Sequence, residues 1–169
     1  LDMPSLIDVK NSINITYNNS LETVRLSSIV ELGSQLYIEG NSSLEDLFMP
    51  LLEETGSGIS IRENYNLKAI DASSLHTMEG NLYIYNNERL EDAFFGALTN
   101  LGSSLSIQYN YALKSIDLTS LYEVEGSVEF SENDDLTAID MPALTEVDGG
   151  FYIYGHDAIC LLYTSPSPR

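Results

Sequence analysis

Along this chain the apolar positions return at one fixed step. Ile15, Ile38, Ile61, Ile84, Ile107, Phe130 and Ile153 are 23 residues apart, and two places earlier the same step picks out Ile13, Leu36, Ile59, Leu82, Leu105, Val128 and Phe151. Six places after the first row come Leu21, Leu44, Leu67, Leu90, Leu113, Leu136 and Ile159. Self-similarity at such a period is the signature of a solenoid, in which each repeat buries its apolar side against its neighbours. Within a repeat, Leu82 and Ile84 alternate with Tyr83 and Tyr85, a period of two that predicts a strand with one buried face. Asn87, Leu90 and Ala93 then follow at steps of three, a spacing suited to tight corners and short extended pieces rather than to a helix. A second short alternation is expected at Ala93 and Phe95 and at its equivalents Ile70 and Ala72, Ile116 and Leu118, and Ile139 and Met141, with Leu98 and Leu101 closing the coil. The pattern predicts an all-β, parallel β-solenoid of about seven coils over 1–159.

Polar positions mark the corners. Asn18, Asn41, Asn64, Asn87, Asn110 and Asn133 share one phase, which His156 completes. An amide side chain carries both donors and an acceptor, so a stacked row of asparagines can satisfy backbone groups freed at a corner and bond along the array. The expected role of this row is a structural ladder. Gly33, Gly56, Gly80, Gly102, Gly126 and Gly149 stand just before the main strands, with Asn11 in the first coil, and the expectation there is a backbone turn of positive φ. Pro4, Pro50 and Pro142 each follow a methionine at one phase, where a missing N–H ends strand pairing. Ala72, Ala93 and Thr55 are the thin places in the expected core.

Composition narrows the classes of function. The chain has 26 acidic against 7 basic residues, a formal net charge of −19, which repels phosphate backbones and anionic lipid surfaces. Nucleic-acid binding is not expected, and no apolar run reaches the roughly 20 residues of a membrane span, so neither is direct membrane insertion. The single cysteine, Cys160, lies in a segment, 160–169, that ignores the period. That segment, CLLYTSPSPR, resembles the in-frame translation of a sequencing-library adapter and is set aside as a non-native tail. Leu1 falls at the phase of Val24 and Ile70, so the solenoid is read as truncated at both ends.

The repeats LYIYNNERLEDA, LSIQYNYALKSI and LYIEGNSSLEDL resemble the leucine-rich repeats of the receptor L-domain superfamily. That pattern is close to L-x-I-x-x-N-x-x-L-x-x-L followed by L-x-x-V-x-G, and similar repeats occur in growth-factor receptor ectodomains and fungal GPI-anchored cell-wall proteins. The resemblance implies a right-handed parallel solenoid of leucine-rich-repeat type at the cell surface, in a parent that is membrane- or GPI-anchored. It transfers no binding residue, because sites vary on a shared scaffold.

Candidate chemistry sits on the outward side of the main strands. Tyr37, Glu39, Arg62, Tyr83, Tyr85, Gln108, Tyr152 and Tyr154 are the candidate ligand-binding residues on a face that also carries Asn14, Thr16, Ser60, Ser106, Glu129 and Ser131. Strands about 4.8 Å apart make this sheet roughly 29 Å across, wide enough for a protein partner or an oligosaccharide. Tyrosine offers a ring and a hydrogen-bonding tip at recognition surfaces; it also has good strand propensity and packs on cross-strand neighbours. Glu132, Asp134 and Asp157 form the best candidate cation cluster, although charge rows are usually solvated faces. For catalysis the neighbouring carboxylates Glu91 and Asp92, or Asp134 and Asp135, point outward from corners instead of converging across a cleft, and His76 and His156 occupy different phases. No enzyme activity and no cofactor are expected. Among the glycosylation sequons at Asn14, Asn18 and Asn41, only Asn14 is expected to be accessible. The function read from the sequence is non-catalytic extracellular recognition or adhesion by the main sheet, with a structural cell-wall spacer as the alternative and a carbohydrate-active β-helix enzyme as a remote third.

Overall fold

The computed structural model describes Leu1–Ile159; the segment 160–169, set aside above as a tail, lies outside the described residues. The chain winds as a β-solenoid of about six turns with roughly 23 residues per turn, and no helix occurs among the described residues. Three parallel sheets form its sides. The main sheet has seven four-residue strands, from Ile13–Thr16 to Phe151–Tyr154. A second sheet has five three-residue strands, from Thr23–Arg25 to Ser115–Asp117. The third has seven two-residue strands, from Asp8–Val9 to Glu146–Val147. Every pairing is between residues one period apart: Leu82 faces Ile59 on one side and Leu105 on the other, and Ile84 faces Ile61 and Ile107.

The apolar columns therefore become continuous stacks inside the tube. Ile38, Ile61, Ile84 and Ile107 are fully buried, as are Leu44, Leu67, Leu90 and Leu113. Each such side chain contributes about 1.5–3 kcal/mol when removed from water. The thin places are accommodated: the Thr55 hydroxyl donates to the Ser57 carbonyl at 2.8 Å, and Ala93 stands in the coil that carries the bulky, fully buried Phe95. The proline phase opens a tight turn, closed by Leu52 N–H donating to the Met49 carbonyl at 3.1 Å, with Pro50 at the position that favours a fixed φ. The third sheet, at the Leu98–Leu101 phase, was not foreseen as strand. The second short strand expected at Ile139 and Met141 does not form; pairing there stops where Asp140 would face Asp117, the one place in that column where two carboxylates would be neighbours.

At the end of each main strand the chain takes a left-handed residue and then the asparagine, or His156 after the last strand. Tyr17, Gly40, Glu63, Asn86, Tyr109, Glu132 and Gly155 all have positive φ, between 53° and 70°. The six glycines expected to play this part have none. Their reason is steric: a Cβ on Gly56 would lie 2.5 Å from the Gly33 carbonyl oxygen, and one on Gly102 would lie 2.8 Å from that of Glu79. Coils at this corner are stacked too closely for a side chain.

The left-handed turn takes the backbone out of the strand ladder, and the asparagine restores its bonds. Asn87 Nδ2 donates to the Ile61 carbonyl at 3.0 Å and to the Tyr85 carbonyl at 3.3 Å. Its Oδ1 accepts from Asn64 N–H at 3.1 Å and from Asn64 Nδ2 at 3.3 Å. The pattern repeats at Asn41, Asn64 and Asn110, all fully buried, and Asn133 keeps its bond to Ile107 at 2.9 Å. Asn18, the first asparagine of the row, joins the ladder at 3.0 Å and is exposed. The expectation that Asn18 would be inaccessible is thus corrected: its sequon is open, while that of Asn41 is buried.

Two predictions follow from these corners. Replacing Asn87 by Ala leaves the buried Asn64 N–H without its acceptor and takes one donor each from the Ile61 and Tyr85 carbonyls, the latter still accepting from Glu63 N–H. At about 1–3 kcal/mol for an unsatisfied group and about 0.5–1.5 kcal/mol for each further bond lost, urea unfolding should show a loss of roughly 2 kcal/mol or more. Asn18→Ala, at the exposed end, should cost less than about 1 kcal/mol, since solvent replaces its bonds. Separately, Glu63→Gly should stabilise by about 0.5–1 kcal/mol by relieving a left-handed conformation, while Gly56→Ala should lower the unfolding midpoint.

Candidate functional site

The outward residues of the main sheet are held in two columns, both set by the alternation that buries their neighbours. One column runs Asn14, Tyr37, Ser60, Tyr83, Ser106, Glu129 and Tyr152; the other runs Thr16, Glu39, Arg62, Tyr85, Gln108, Ser131 and Tyr154. Parallel, in-register pairing places each of these beside its equivalent in the next coil. The eight predicted ligand-binding residues therefore share one surface, though they do not form one cluster.

In the early coils Tyr37, Glu39 and Arg62 make a closed polar group. The Tyr37 hydroxyl donates to Glu39 Oε2 at 2.7 Å, and Arg62 Nε lies 3.2 Å from Glu39 Oε1. The Arg62 guanidinium sits over the Tyr37 ring, 4.8 Å from its centroid. Nε is buried without an aligned hydrogen bond, so the pairing rests on charge and on the ring face. Tyr17, on the preceding corner, has its phenol pushed up by the Glu39 charge.

The middle coils carry a run of four aromatic rings. Tyr83 and Tyr85 stack with centroids 5.5 Å apart and planes 9° from parallel. Tyr85 meets Tyr109 edge to face at 5.3 Å, and Tyr109 meets Tyr111 in the same way at 6.4 Å. Each such pair is worth about 0.5–1.5 kcal/mol beyond area burial. Tyr109 and Tyr111 were missed by reading the strands alone, because they belong to the corner: Tyr109 is the left-handed residue, and that conformation swings its ring back toward the sheet. Burial pushes the Tyr83 phenol up, and Tyr111 moves the same way through burial and the nearby Asp134.

The last coils are more open. Tyr152 and Tyr154 are each 53% exposed, and the Tyr154 hydroxyl donates to the Glu129 carboxylate, which pushes its ionisation up. Ser131, expected to face outward, is buried, beside the Tyr154 phenol. Gln108 folds back on its own strand, donating to the Ser106 hydroxyl at 2.9 Å.

The acidic candidates do not converge. Glu132 turns against Gly155 in the next coil, and among the described residues no three His, Cys, Asp or Glu side chains come together as a cation site; Glu132, Asp134 and Asp157 are not one. Glu91 is taken up by Lys114 at 2.5 Å, and Asp92 by the Ser115 hydroxyl at 2.7 Å. His156 fills the last ladder slot, its Nδ1 3.0 Å from the Asn133 carbonyl; that oxygen only accepts, so Nδ1 carries the proton. A hollow of about 850 Å³ beside the first coil is lined by Ile13, Ile15 and Leu21, side chains of the apolar columns, together with Asn18 and Asn19.

No family model, no curated protein and no solved structure matches this chain. The surface chemistry itself therefore carries the functional reading.

The raised phenols have a measurable consequence. A group whose folded pKa is raised stabilises the fold fully below its unfolded value, near 10 for tyrosine, and that contribution is lost as pH rises through the folded pKa. Absorbance titration should place part of the phenolate signal above that of the unfolded chain. Tyr154→Phe should remove a late-titrating component and reduce the alkaline loss of stability.

Proposed function

We propose that this chain is a non-catalytic recognition or adhesion module of the cell exterior, of the receptor L-domain leucine-rich-repeat type, which presents its main sheet to a protein or glycan ligand. The observation that carries the reading is the contiguous run Tyr83, Tyr85, Tyr109 and Tyr111. These rings lie outside the buried columns that hold the coils together, so their clustering adds a broad aromatic surface to a fold that already has its core. The flat, parallel face and the strongly acidic chain favour a partner that is neutral or basic. A second reading, a structural spacer at the cell surface, draws on the asparagine ladder: a tube stiffened at every coil can hold other regions apart, with the tyrosines serving only to pack on one another.

A binding screen of the intact chain against glycan and cell-surface protein arrays, repeated with Tyr83 and Tyr85 both changed to Ser, separates the two. The recognition reading expects saturable binding that weakens at least tenfold in the variant, with the variant still folded. The spacer reading expects no binding by either protein, and sensitivity only to core changes such as Ile84→Ala, which should cost about 2–4 kcal/mol.

A further inference from the structure

A groove of about 330 Å³ opens on the main sheet above Ser60, between Tyr37 and Tyr83. Its position follows from the outward column: a small side chain stands between two large ones on adjacent strands, so the two tyrosines are two strand spacings, about 9.6 Å, apart at their Cα atoms. Ser106 is small as well and lies beyond Tyr83, yet Gln108 folds over it and bonds its hydroxyl at 2.9 Å. The residue equivalent to Gln108 in the Ser60 coil is Arg62, and Arg62 is drawn away to Glu39 and the Tyr37 ring. Ser60 is left uncovered.

The groove runs toward the corner before the strands, where Gly58 and Gly80 leave the backbone bare. These glycines cannot be filled, since a Cβ on Gly58 would lie 2.5 Å from the Asn81 carbonyl oxygen. The side-chain amides of Gln35 and Asn81 line that end. Asn81 Oδ1 already accepts from the Ser103 hydroxyl at 2.8 Å and from Ser104 N–H at 2.9 Å, which orients its amide and leaves Nδ2 as a donor. All of the lining side chains are uncharged, in a chain with 26 acidic residues.

Aromatic walls with amide and hydroxyl groups, the charges beside them (Arg62 and Glu39) being paired with each other, are the chemistry that recognises a neutral sugar. The ring faces cover its C–H surfaces, and the amides and hydroxyls bond its OH groups. The volume is at the lower end of the range for small-ligand sites, about 300–1,000 Å³. We propose that the Tyr37–Ser60–Tyr83 groove is a subsite for a neutral saccharide. This rests on the recognition reading above and narrows its ligand class.

The chain has no tryptophan and eleven tyrosines, so its intrinsic fluorescence is that of the tyrosines, Tyr37 and Tyr83 among them. The intact chain is titrated with mannohexaose, maltohexaose, chitohexaose and, as the charged counterpart, hexagalacturonate. A saturable change with at least one neutral oligomer, and binding at least tenfold weaker for hexagalacturonate, is expected. Ser60→Tyr fills the groove and should weaken binding at least tenfold, whereas Ser106→Tyr, two coils away, should change it less than threefold. Tyr37→Ser serves as the second variant should Ser60→Tyr not fold, and should also lose at least tenfold. Absence of a saturable change with all three neutral oligomers overturns the proposal. Binding that survives both Ser60→Tyr and Tyr37→Ser but is lost on changing Tyr83 and Tyr85 to Ser overturns the groove while leaving recognition by the sheet in place.

Discussion

The asparagine that follows six of the seven main strands is the constraint that the rest of this structure obeys. At Asn64 the side chain binds four partners at once: the carbonyl two residues before it, a carbonyl 26 residues before it, and the asparagine one coil away on either side. Because these partners are spaced along the chain, the bonds hold only if every coil keeps the same length. An insertion between two such corners would leave buried amide and carbonyl groups without partners, each at a cost of about 1–3 kcal/mol. The uniform 23-residue step is therefore imposed by polar satisfaction as well as by apolar stacking. Burial supplies most of the stabilising free energy, but burial alone would tolerate slippage between similar columns; the ladder fixes register.

What the inner columns and the ladder impose leaves the outward columns free. That freedom explains why the main sheet is so uneven along its length. The first coils hold a charged group closed on itself, in which Glu39 is shared by Tyr37 and Arg62. The middle coils hold an aromatic run, and the last are exposed. One local choice decides how open the surface of a coil is: Arg62 turning to Glu39 in the preceding coil uncovers Ser60, whereas Gln108 at the same phase closes over Ser106.

Much of this was legible in the sequence where one residue type recurs at one phase. The isoleucine and leucine rows fall on buried columns, the main strands lie where the alternation places them, and the asparagine row forms the ladder expected of it. The left-handed row was harder to see. Gly40, Asn86 and Gly155 announce it, but Tyr17, Glu63, Tyr109 and Glu132 occupy the same position, tolerated because the bonded asparagine beside them holds the turn. The glycines before the strands were a different matter: their absent side chain answers close stacking between coils, and contact with a neighbouring backbone leaves the same mark in a sequence as positive φ. The third sheet was missed because two residues are too few to show an alternation. At the surface, reading outward positions strand by strand found Tyr83 and Tyr85, but it passed over the corner rings of Tyr109 and Tyr111 and exposed Ser131 wrongly, since neither depends on the strand pattern alone.

The account's central claim is most directly tested by native-state hydrogen exchange of the ladder amides. The backbone N–H groups of Asn41, Asn64, Asn87 and Asn110 each donate to the side chain of the next asparagine, and they should exchange only as slowly as the array itself unfolds, with the same free energy as the buried strand amides of Ile61 and Ile84. Exchange of these four amides at rates near those of the exposed corner residues, while the strands stay protected, would show that the ladder opens independently and does not set the register of the coils.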